Sequence, residues 1–256
     1  MIQDPFFYLV AVPAVIMIGL SKGGIGGAGA MLGVPLVTLA IDPVRAAAIL
    51  LPILVAMDLV SLYAWRGVYQ TKSLAILLPG AALGVGIGWV LAGSIGEEEI
   101  RLIVGGIGLV FSLDHYLGHY FGGEAKRAPR PHQPAKGMIW GTVAGFTSFV
   151  AHAGGPPFQM YMLPLRLPPP VYAGTSVIFF AVVNALKLLP YFMLGQFSAA
   201  NLQTSLVLMP LVPVATLTGV WLVKAVSPKF FYALSYALVL LVSLKLIFDA
   251  GMALMA

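Results

Sequence analysis

Residues 19–29 read GLSKGGIGGAG and match two enzyme fingerprints at once. Gly19-Leu20-Ser21-Lys22-Gly23 fits the G-x-S-x-G turn that exposes a nucleophilic serine. Gly24-Ile25-Gly26-Gly27-Ala28-Gly29 fits the G-x-G-x-x-G loop that cradles a dinucleotide. Both motifs work only where a strand runs into a tight turn and a helix, and no alternating strand pattern flanks this stretch. A Ser21–Lys22 dyad is also poorly placed in regular helix, where adjacent side chains project about 100° apart. Anion binding is the remaining chemistry. Glycines let the backbone approach a ligand, free N–H groups at a helix start attract negative charge, and Lys22 adds a full positive charge.

A second stretch, TSFVAHAGGPP at 147–157, echoes the first. It carries Thr147, Ser148 and His152 where the first carries Ser21 and Lys22, and Gly154-Gly155 answers Gly26-Gly27. His152 is suited to donating to an anion or relaying a proton, and Gln159 lies about one turn further on. Asp58 sits inside an apolar run and Asn184 holds nearly the equivalent place later in the chain. Lys187 shares a helix face with Asn184. A pairing of Asp58 with Lys187 or Lys22 would offset the cost of burying the charge. Thr175 and Ser176 are further polar candidates. The substrate-binding candidates are therefore Ser21, Lys22, Gly23, Gly24, Gly26, Gly27, His152, Gly154, Gly155, Gln159, Thr175 and Asn184, with Asp58 and Lys187 for coupling or charge balance. Lys245 and Asp249 read as a local i,i+4 pair. Asp114, His115 and His119 read as a wetted helix end, so neither a metal nor a cofactor is expected.

These residues sit in an unusually apolar chain. Of 256 residues 60% are hydrophobic and 9% charged, and the mean hydropathy is +0.96. Soluble domains carry about 25% charged residues, so lipid is the expected solvent. Without cysteine, disulfides and thiolate chemistry are excluded. The net charge of +5 comes from basic residues in loops, which reads as a topology signal and not as nucleic-acid binding. The segment MIQDPFFYLV has no basic n-region or small-residue cleavage site, so no removable signal peptide is expected.

Apolar runs fall at 6–20, 28–40, 44–65, 72–93, 99–118, 137–151, 156–167, 170–193, 200–225 and 229–250. Six are long enough to span; the four short ones form two pairs joined through glycine. If each pair crosses once, basic residues divide almost evenly between the two sides. If each pair is a re-entrant hairpin, Arg66, Lys72, Lys126, Arg127, Arg130, Lys136, Arg166, Lys224 and Lys229 fall on one side, against Arg45 and Arg101. That bias favours hairpins and puts both termini outside. The fold expected is an all-α polytopic integral membrane protein with two inverted repeats, each a re-entrant (broken-helix) hairpin plus three transmembrane helices. The first repeat covers 1–118, a basic cytoplasmic linker 119–136, and the second repeat 137–256. Matches between the halves (Gly67-Val68-Tyr69 with Gly195-Gln196-Phe197, Pro79 with Pro210, Gly88 with Gly219) hold an offset of about 127 to 131. Inverted repeats with paired glycine-interrupted segments point to a secondary transporter whose site lies where the breaks meet.

GLSKGGIGGAGAMLGVPLVTLAIDPVRAAAILLPILVAMDLVSLYAWRG and FTSFVAHAGGPPFQMYMLPLRLPPPVYAGTSVIFF together resemble the sulfite exporter TauE/SafE family of membrane transporters. The resemblance covers essentially the whole chain. It implies transport of small sulfur-containing or organic anions such as sulfite or organosulfonates, and no enzymatic activity. Alternating access is the expected mechanism; the coupling ion is open, with H⁺ preferred because Asp58 and His152 can titrate. An anion channel and an intramembrane hydrolase using Ser21 are the alternatives. The expected location is the cell inner membrane or plasma membrane. The expected partners are the anion and membrane lipid, with a homodimer open and nucleic acid excluded.

Overall fold

The structure is a computed structural model that describes residues 2–25, 33–91, 97–121, 129–195 and 197–255. The described residues are helical, without strands. The first half contains α1 (Pro5–Leu20), α2 (Gly33–Val37), α3 (Pro43–Ala64), α4 (Thr71–Val90) and α5 (Glu97–Phe121). The second contains α6 (Pro134–Ala151), α7 (Gly155–Met162), α8 (Pro169–Met193), α9 (Ala199–Leu208), α10 (Leu211–Ala225) and α11 (Pro228–Met255). Helix starts follow their capping chemistry. Asp4 accepts from Phe6 N with Pro5 next. Asp42 accepts from Arg45 N with Pro43 next.

Polarity is distributed as lipid solvent requires. Leu9, Leu59, Val90, Val110, Val214 and Phe248 stand exposed, while Lys22, Asp58, Gln159, Asn184 and Lys187 are buried. Among the described residues five helices are long and apolar enough to cross a bilayer: Pro5–Gly24, Arg45–Ala64, Thr71–Val90, Pro169–Met193 and Pro228–Ala253. The pair Ala199–Leu208 and Leu211–Ala225, bent by 50°, makes a sixth if taken as one span.

Three elements differ from the sequence reading. The run 6–20 extends through Ser21 and Lys22 to spanning length, because Lys22 finds a buried partner and so does not end the helix. The run 200–225 is not one straight helix but breaks at Met209–Pro210, where proline removes a backbone donor. Pro79, its counterpart in α4, leaves that helix continuous. The run 99–118 lies within α5, which is not among the five apolar spans.

The first helix of each half packs on a helix of the other half, α1 on α10 and α6 on α4. Small residues allow the close approach. A Cβ on Gly23 would meet the backbone of Gly219, and one on Gly84 would meet the backbone of Thr142 and Phe146. At the centre α3 packs on α8, and at the flank α5 packs on α11. Asp58 of α3 bonds Asn184 of α8, while Gln70 N, just beyond α3, donates to Thr175 near the start of α8. The two helices therefore run antiparallel.

Candidate functional site

α1 runs into a kinked turn, Ser21–Ile25, in which Gly24 leaves helical geometry at φ 133°. The kink at Gly24 takes Lys22 O and Gly23 O out of the regular backbone ladder. Two side chains, one in α3 and one capping its end, take their place: Ser61 Oγ donates to Lys22 O at 3.1 Å and Trp65 Nε1 to Gly23 O at 2.8 Å. α6 ends on His152 in the left-handed conformation, φ 50°. There the free carbonyls belong to Ser148 and Phe149, and two side chains of α8 cover them. Lys187 Nζ donates to Ser148 O at 2.8 Å and Tyr191 OH to Phe149 O at 3.3 Å.

These contacts repeat in one register. Each residue in the set Lys22, Gly23, Asp58, Ser61, Trp65 has its counterpart 126 positions on, in Ser148, Phe149, Asn184, Lys187, Tyr191. The register lies one residue below the range read from sequence. Asp58 and Asn184 meet each other, so the centre of the arrangement is a contact between equivalent positions.

Asp58 holds both halves. Lys22 Nζ lies 2.5 Å from its Oδ1 and Asn184 Nδ2 donates to its Oδ2 at 2.6 Å. Lys22 Nζ also sits 5.5 Å from the Phe180 ring centre. Lys22 is thus an ion-paired ammonium, unsuited to act as general base for Ser21. Of the two partners open to Asp58 in the sequence, the structure uses Lys22. Lys187 turns instead to Ser148 O and, at 3.1 Å, to His152 Nδ1. His152 Nε2 lies 3.2 Å from Tyr191 OH.

A cavity of about 40 Å³ lies between the two breaks, space on the scale of a few waters. Ser21, Lys22, Ser148, His152, Gly154, Gly155, Ser176 and Asn184 supply its polar lining, and Ile18, Leu50, Leu54, Val177 and Phe180 its apolar walls. Six candidates from the sequence therefore come together here: Ser21, Lys22, His152, Gly154, Gly155 and Asn184. Pro156 and Pro157 carry no N–H, so the donors free at the start of α7 are those of Gly154 and Gly155. Ser148 and Ser176 are buried and line the cavity.

Other candidates lie elsewhere. Gly23 and Gly24 pack on α10, Trp65 and Ala173. Thr175 is committed to Gln70 N and Val171 O. Gln159 is fully buried, with both amide atoms unpartnered. Gly26, Gly27 and the side chains of Asp114 and His119 lie outside the described residues. His115 stacks on Tyr236. In the linker, Arg130 N bonds Pro164 O, and burial and Lys72 hold His132 below its ordinary pKa. The sequence reading missed Ser61, Trp65 and Tyr191. Their signal is spacing: 58, 61, 65 and 184, 187, 191 both run i, i+3, i+7, one polar stripe on each long helix.

Several apolar spans around a buried polar cavity fed by two helix breaks define a multi-pass membrane transport protein. The family model for the sulfite exporter TauE/SafE matches residues 11–246, and the chain belongs to that family. No curated protein and no solved structure matches the chain.

Proposed function

We propose that the protein is a secondary transporter that exports a small sulfur-containing or organic anion, such as sulfite or an organosulfonate, by alternating access. The observation that carries this reading is the cavity at the meeting of two helix breaks, where donors converge from both halves. Gly154 and Gly155 N–H, the Ser148 and Ser176 hydroxyls and Asn184 are the donors for oxyanion oxygens, and Lys22, ion-paired with Asp58, adds a charge-assisted donor. Of the remaining candidates, Ser21 adds a hydroxyl and Gly23 and Gly24 shape the first break.

Inverted repeats are supported by the antiparallel packing of α3 on α8 and by the register of 126. In that arrangement the α1 break and the α6 break face opposite sides of the membrane. Rocking of one half against the other exposes the cavity to each side in turn. Asp58 bridges the halves and His152 lies beside the cavity, so protonation of either couples transport to a proton gradient. The burial of Ser21, Lys22, Ser148, Ser176 and Asn184 in the lining favours a carrier over an open channel.

Purified protein in proteoliposomes, loaded with sulfite or methanesulfonate, is expected to show saturable efflux with counterflow. Lys22→Gln is expected to reduce the rate by tenfold or more, on the order of the 1–3 kcal/mol carried by hydrogen bonds to charged groups. Wild-type rates in Lys22→Gln would remove Lys22 from the mechanism.

A further inference from the structure

The buried centre has more positive than negative groups. Lys22, Lys187 and Asp58 are all buried. Asp58 accepts from Lys22 and from Asn184, which occupies both carboxylate oxygens. Among the described residues Lys187 bonds a backbone carbonyl and an imidazole nitrogen and lies 5.7 Å from the Tyr191 ring centre. An ammonium has no acceptor capacity, so the Nδ1 of His152 accepts from it. The imidazole is then neutral, with its N–H on Nε2 donating to Tyr191 OH, whose own hydroxyl donates to Phe149 O. The other elements packed on α8 bring charge only at their ends. Lys72 is at the start of α4, and Lys224, at the end of α10, lies over the Trp65 ring. α7 carries no charged residue.

Among the described residues the buried Lys187 ammonium has no ion-pair partner of its own, Asp58 being engaged by Lys22, and it lies directly behind Ser148 and His152, both of which line the cavity. A buried ammonium without a partner is strongly unfavourable, and an anion in the cavity would supply what is missing. We infer that Lys187 sets the charge selectivity of the transporter: with Lys22 already neutralised by Asp58, the cavity takes an anion of single negative charge and discriminates against a dianion of the same shape. This rests on the anion-transport reading above. Lys187 acts through Ser148 and His152 and is a specificity-determining residue, not a direct ligand.

Methanesulfonate and sulfate test this, because both are tetrahedral and of similar size but carry one and two charges near neutral pH. Binding of each to the full-length protein in nanodiscs is measured by calorimetry. The wild type is expected to prefer methanesulfonate by about tenfold or more, the discrimination expected when one ligand leaves a desolvated charge unpaired. Asp58→Asn keeps the side-chain shape but leaves Lys22 and Lys187 both uncompensated, so the preference is expected to shift toward sulfate by about tenfold. Lys187→Gln is expected to weaken methanesulfonate by about tenfold, and Lys187→Arg to restore much of it. The wild-type comparison needs no variant to fold. Equal affinities in the wild type, or an unchanged preference in folded Asp58→Asn, would overturn the inference and leave anion transport standing. If neither these two anions nor sulfite bound the wild type, the anion reading and the inference would fall together.

Discussion

Trp65 and Tyr191 hold corresponding places. Each closes a helix break by donating to a carbonyl that the backbone has released, Gly23 O at 2.8 Å and Phe149 O at 3.3 Å. A buried carbonyl that loses its donor costs about 1–3 kcal/mol. Trp65→Phe keeps most of the ring and removes the N–H, so it is expected to cost that amount, read as a lowered Tm in detergent. Tyr191→Phe breaks a longer bond and is expected to fall at or below the low end of that range. It also frees His152 Nε2, so its larger effect is expected on transport and not on Tm. The lysines, Asp58 and His152 were legible in the sequence because ionisable residues in apolar runs are conspicuous. Trp65 and Tyr191 were not, because aromatic residues near helix ends are ordinary in membrane proteins. Only their shared i+7 relation to Asp58 and Asn184 sets them apart. Thr175 shows the converse. It is as polar as Ser176 and adjacent to it, but one residue turns the side chain by about 100° and commits it to Gln70.

Helices in this fold approach as closely as their backbones allow. On α4, Gly84 faces α6, where a Cβ would meet the backbone of Thr142 and Phe146, whereas nothing lies within 4 Å of a Cβ on Gly86. Gly84→Ala is expected to destabilise by about 1–3 kcal/mol, since the clash is with backbone and only helix separation relieves it. Gly86→Ala, two residues away, is expected to be neutral or to gain up to about 1 kcal/mol from helix propensity. Thermal unfolding of the two variants side by side separates packing from propensity. A Gly84→Ala variant as stable as Gly86→Ala would mean that α4 and α6 are not in this contact. Glycine-rich helices are easy to recognise in the sequence, but not which glycine faces a neighbour, because a residue without a side chain adds little to a hydrophobic face. The break at Pro210 was hidden for a related reason. Pro79 and Pro210 look alike in sequence, and only the neighbours of each helix decide which one bends.

At the scale of the molecule, one pairing read from the sequence has a structural counterpart. Gly67 and Gly195, paired by their surrounding sequence, both take positive φ, at 75° and 69°, so the turn after the long helix is built twice. The register of 126 was harder to find, since glycine-rich text aligns nearly as well when shifted by a residue or two. The contact between Asp58 and Asn184 fixes it. The two topologies drawn from the sequence differ in one consequence. If each glycine-broken segment returns to its own side, the halves are inverted and the turn at 66–70 lies across the membrane from the turn at 194–198. If each segment crosses, both turns lie on the same side. The antiparallel course of α3 and α8 supports the first. The chain has no cysteine, so single substitutions report without background. Tyr69 and Leu194 are both exposed, and Tyr69→Cys and Leu194→Cys are expected to leave the fold intact. In intact cells a membrane-impermeant maleimide is expected to label Leu194→Cys and leave Tyr69→Cys unlabelled until the membrane is opened, because Arg66 and Lys72 hold their turn in the cytoplasm. Labelling of both in intact cells, or of neither, would place the turns on one side and rule out inverted halves.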